Sequence, residues 1–107
     1  MTFDTEMGRP STIEEELESL PDRVADALRE WRTKEAQKRH TAAGLLMSFK
    51  AKTAELGLTM TELKAMVDHD AEYYKLCLEC VTTESEYVRL NERLMAAKKA
   101  ASLRTSF

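Results

Sequence analysis

A chain of 107 residues with three Gly, two Pro and a formal net charge of −3 fits one helical domain with a modest core, since Ala, Leu, Glu, Lys, Arg and Met are abundant and strand signals are missing. No basic segment followed by an apolar one opens the chain, and no run approaches the roughly 18 apolar residues of a membrane span, so secretion and membrane insertion are not expected and the cytoplasm is the default location. The small net charge conceals four blocks: nine acids and three bases over residues 1–30, six bases and one acid over 31–52, nine acids and three bases over 53–92, and four bases without an acid over 93–107.

Residues 1–10 have little apolar content and read as a mobile tail, which leaves 11–107 as a single helical domain. Ser11 with Glu14 forms a capping box, and Glu14, Glu15 and Glu16 suit the positive end of a helix. A short helix is expected to start there and to stop or bend at Pro21. From Pro21 to Leu56 a second helical pattern follows, closed by Gly57 as a left-handed cap. Its four-three series holds Val24, Leu28, Trp31, Glu35, Lys38, Ala42, Leu45, Phe49, Lys52 and Leu56, apolar at both ends and polar in the middle. Residues 32–41 are polar on nearly every face, which calls for charge pairs, open solvent or a charged ligand. Gly44 marks either a weak point or a close helix approach.

Thr59 and Glu62 make another capping box, so Met60–Val67 is expected as a short helix covering one end with Leu63, Met66 and Val67. Asp68 or Asp70 then caps the last helix, a role that also accounts for the carboxylates of Asp68, Asp70 and Glu72 without a divalent cation. From Asp70 to Arg104 nothing interrupts helix, over roughly 52 Å. Tyr73, Leu76, Cys80, Tyr87, Leu90, Leu94, Ala97 and Ala101 follow one seam, broken in apolar character at Thr83. Tyr74, Cys77, Val81, Val88 and Met95 widen that face beyond what one partner helix covers. The pattern predicts an all-α antiparallel hairpin of two long helices with short flanking and connecting helices, and a homo-oligomer whose core and contacts include Tyr73, Leu76, Cys80, Tyr87, Leu90 and Leu94.

Cys77 and Cys80 sit three apart inside a helix, where packing explains them better than zinc or redox chemistry; His40 and His69 would have to complete a metal shell. No Ser, Cys or His has triad-like company and no Gly-rich loop cradles phosphate, so no catalytic role, metal or cofactor is expected. The basic blocks say more. Folded around a turn near residue 63, position 36 would lie opposite position 90, bringing Arg29, Arg32, Lys34, Lys38 and Arg39 to the same end as Arg89, Arg93, Lys98 and Lys99. That single patch, with Arg32, Lys34, Lys38, Arg39, Arg93, Lys98, Lys99 and Arg104 as phosphate contacts, is the candidate site for single-stranded nucleic acid. Trp31 and Tyr87 would stack on bases or pack in the seam. The competing expectation is a face neutralised by Glu30, Glu35 and Glu92, or a structural or regulatory adaptor whose basic patch meets an acidic protein or the chain's own N-terminal block.

The string REWRTKEAQKRH from Arg29 to His40, with Trp31, Lys34, Lys38 and Arg39, then Lys50 and Lys52 and the later VDHDAEYY from Val67 to Tyr74, resembles the UvsY-type recombination mediators of tailed phages. The resemblance extends over residues 22–101. It implies a ring-like homo-oligomer that binds single-stranded DNA, in the host cytoplasm, and helps load a recombinase against a single-strand-binding protein.

Overall fold

The computed structural model describes residues 12–105. The expected tail over residues 1–10 and the capping role of Ser11 lie outside them. The first helix, α1 (Ile13–Lys52), opens at Thr12, whose hydroxyl accepts from the Glu15 amide at 3.1 Å, with Glu14, Glu15 and Glu16 in the first turn. Pro21 does not end a short helix as expected: α1 runs through it for 40 residues. A proline inside a helix costs about 3 kcal/mol in lost hydrogen bonding and ring clash. Leu20, one residue before it, is fully buried in a cluster with Leu90 and Leu94, and Leu17, Val24 and Ala27, on both sides of it, pack against that cluster. At about 1.5–3 kcal/mol for each large apolar side chain fully buried, that shared contact outweighs the local penalty.

At the other end α1 stops short of the expected Leu56. The Thr53 hydroxyl and amide both bond to the Phe49 carbonyl, at 2.6 and 2.9 Å, and a 3₁₀ turn (Ala54–Leu56) follows. Gly57 then takes the left-handed conformation anticipated for it, φ 61°. Lys52 is exposed at the last position of α1, and because the chain leaves the helical path after it, Leu56 falls outside the seam and is 71% exposed. The short helix α2 (Met60–Asp68) begins with both halves of the Thr59–Glu62 capping box and buries Leu63 and Val67. Asp70 accepts from the Tyr73 amide at 2.9 Å and starts α3 (Ala71–Thr105). The described residues contain no strand.

The two long helices lie along each other in opposite chain directions. Glu14 meets Arg104, Glu16 meets Arg93, Trp31 meets Tyr87 and Lys34 meets Glu79, so the reversal falls near Gly57. The result is a slat of 72 × 36 × 16 Å with a radius of gyration of 21.4 Å, where a compact domain of about 100 residues has about 13 Å. All eight residues of the predicted α3 seam are buried or half-buried. The buried leucines and valine lie at the two ends, Leu20, Leu90 and Leu94 with Ala97 near the chain termini and Leu63 and Val67 under the connection, and Cys80 is buried between them. Gly44 is neither crowded nor close to another helix, since a Cβ there would meet nothing within 4 Å.

Candidate nucleic-acid interface

Between the two apolar ends the seam is polar, and α1 supplies most of the charge. Lys34 Nζ donates to Glu79 Oε1 at 2.7 Å across the helix pair, and Lys38 lies 3.5 Å from Glu35 on its own helix. The hydrogen bond from Lys34 holds the Glu79 carboxyl below its ordinary value and raises the Lys34 ammonium above its own. Beside them Cys80 is a buried free thiol, pushed up by burial and then by the Glu35 carboxylate. Cys77 is a half-buried free thiol, and the described residues hold no group of three or more His, Cys, Asp or Glu able to hold a metal ion.

The expected union of the two basic blocks does not occur. Reversal near Gly57 rather than residue 63 sets Lys34 against Glu79, where the expected register set position 36 against 90, a slip of about 20 Å along the axis. Each basic block therefore lies against an acidic one. Arg93 donates to Glu16 at 2.7 Å and Arg104 to Glu14 at 2.8 Å, some 30 Å along the helix from Lys34. A backbone hydrogen bond and then Arg104 hold the Glu14 carboxyl below its ordinary value. Arg89 is taken up by Glu86 one turn earlier. Of the eight predicted phosphate contacts, Arg32, Arg39, Lys98 and Lys99 are exposed and have no carboxylate within ion-pair distance among the described residues, and Lys98 and Lys99 stand apart from the other two at the far end.

Arg32 and Arg39 line an open groove of about 530 Å³ together with Trp31 and Tyr87. The two rings stack on each other across the helices, centroids 5.6 Å apart and planes at 25°. Trp31 Nε1 is buried without an acceptor, so the indole is committed to the seam through its ring and not through its N–H. Glu35 and Glu84 share the groove and oppose an approaching phosphate. The wide face expected of α3 is exposed behind it, as a row that includes Leu78 and leaves out Cys77. Tyr74, Leu78, Val81, Val88 and Met95 are 42–60% exposed. Four of them read as a widening of the seam and Leu78 as nothing. Their spacing is the available signal, masked by Ser85 and Glu92 in the same row.

No helix among the described residues is long and apolar enough to cross a membrane. No family model, curated protein or solved structure matches the chain.

Proposed function

We propose that the protein is a self-assembling helical interaction adaptor, whose unit is the hairpin of α1 and α3 and whose contact surface is the back of α3. The observation that carries this reading is the row of five large apolar side chains left roughly half or more in water on one face, since contiguous patches of that kind mark interaction surfaces. The charges support it from the other side: Lys34, Lys38, Arg93 and Arg104, four of the cations expected at phosphate, are neutralised within the fold. Light scattering and sedimentation of the full chain test it. A multimer is expected at tens of micromolar, and Val81→Glu, at an exposed position, is expected to disperse it while circular dichroism stays unchanged. A monomer throughout that range overturns the reading.

Binding of single-stranded nucleic acid is the second reading, favoured by Arg32 and Arg39 beside the Trp31–Tyr87 stack. The recombinase and single-strand-binding protein as partners, and a place in phage recombination, rest on the resemblance to recombination mediators alone. Titration of labelled single- and double-stranded oligonucleotides at several salt concentrations tests this reading. Arg32→Ala with Arg39→Ala is expected to weaken all sequences alike and to lower the single-strand salt slope by about 0.7 for each phosphate no longer neutralised. An unchanged slope in that variant removes the groove as a phosphate site.

A further inference from the structure

The row behind α3 is laid out as half of a two-helix seam. Tyr74, Leu78, Val81, Val88 and Met95 succeed one another at spacings that fall on a single four-three line, facing away from α1 over about 32 Å. The gaps in that line are filled by Ser85 and Glu92, and Lys99 extends it. Read in either direction, the line has the same spacing about a point between Glu86 and Tyr87. We infer that a second copy of this chain covers this row, α3 against α3 in antiparallel orientation, with a two-fold axis passing between Glu86 and Tyr87.

Two features select that partner and that direction. Leaving aside Glu79, Glu86, Arg89, Arg93 and Arg104, which pair within the chain, residues 71–87 of α3 keep two carboxylates and one lysine, and residues 88–105 keep two lysines and one carboxylate. Antiparallel pairing therefore sets each half against the opposite charge of the other copy. A parallel pair in register would instead face Glu92 with Glu92 and Lys99 with Lys99 inside an apolar seam, where like charges are unfavourable. With the axis as placed, Leu78 meets Met95 of the partner subunit. Lys99 reaches the ring of the partner subunit's Tyr74, an arrangement that favours a cation over an aromatic face. A two-fold repeats each contact, so the seam is closed on itself.

This inference rests on the self-assembly reading above, and the test separates the two. Leu78→Cys and Met95→Cys are made singly in the full chain carrying Cys77→Ala and Cys80→Ala, with helix content checked by circular dichroism. Oxidation of an equimolar mixture is expected to give a disulfide-linked heterodimer, and oxidation of either variant alone to give little linked product. In the chain with its native cysteines, sedimentation is expected to show a dimer, with Val88→Glu raising its dissociation constant more than about tenfold. This second arm stands even where the cysteine-free background fails to fold. Efficient self-linkage of Leu78→Cys, an assembly larger than a dimer, or a dimer indifferent to Val88→Glu overturns the antiparallel seam and leaves self-assembly standing. A monomer up to about 100 µM overturns both.

Discussion

Two of the glycines have opposite futures under the same substitution. Gly44 sits inside α1 with open space where a Cβ would go, so Gly44→Ala removes unfolded-state freedom at no steric cost and is expected to stabilise by about 0.5–1 kcal/mol. Gly57 also has open space, but its φ of 61° is unfavourable for an L side chain, so Gly57→Ala is expected to destabilise by about 1–2 kcal/mol. Urea denaturation of the two variants gives the comparison, and shifts of the same sign would contradict the assignment. Gly57 is legible in the sequence because a left-handed cap has a local chemical requirement. Gly44 is not, because periodicity says which face a residue is on and nothing about how near the neighbouring helix comes.

At the scale of elements, caps are legible and interruptions are not. Thr59, Glu62 and Asp70 act within three residues of themselves, and each does what its position implies. Pro21 is a local signal overruled by Leu90 and Leu94, some seventy residues away in sequence, which no local reading weighs. Pro21→Ala is therefore expected to raise the melting temperature, restoring a hydrogen bond in a helix that packing already carries through this position, with a gain of up to about 3 kcal/mol. A fall would mean that the proline shapes α1 to fit α3. The register of α1 on α3 departs furthest from the sequence expectation. It turns on where α1 ends, five residues before Gly57, and boundaries are the least legible part of any helix.

Seen whole, the molecule uses its charge blocks to align itself, acid against base near the chain termini and again in the middle of the hairpin. Lys34→Glu and Glu79→Lys are each expected to lower the melting temperature, and the double variant to recover most of the loss; additive losses would show that the pair does not hold the register. The pH dependence has a definite sign. Glu79 and Glu14 have folded-state values below the ordinary one, so their contribution is complete above about pH 4.3 and is lost as pH falls through the folded values. Thermal melts should be flat from neutral pH down to that region and decline beneath it. Added salt should act in the same direction at neutral pH, since these pairs are partly open to water. The alternation of sign is plain in the sequence, but it suggests an outside partner as readily as the other helix, and only the register shows that the nearest complement lies within the chain.

The Trp31–Tyr87 stack makes this alignment observable by light. The chain has one tryptophan, and it bridges the two long helices where the apolar end gives way to the polar middle. Its emission is therefore sensitive to the separation of α1 and α3, moving to the red as the half-buried ring leaves Tyr87 and becomes fully wet. Separation of the helices can be timed on unlabelled protein, independently of the loss of helix itself, and a lag between the two signals would reveal a state in which both helices persist apart.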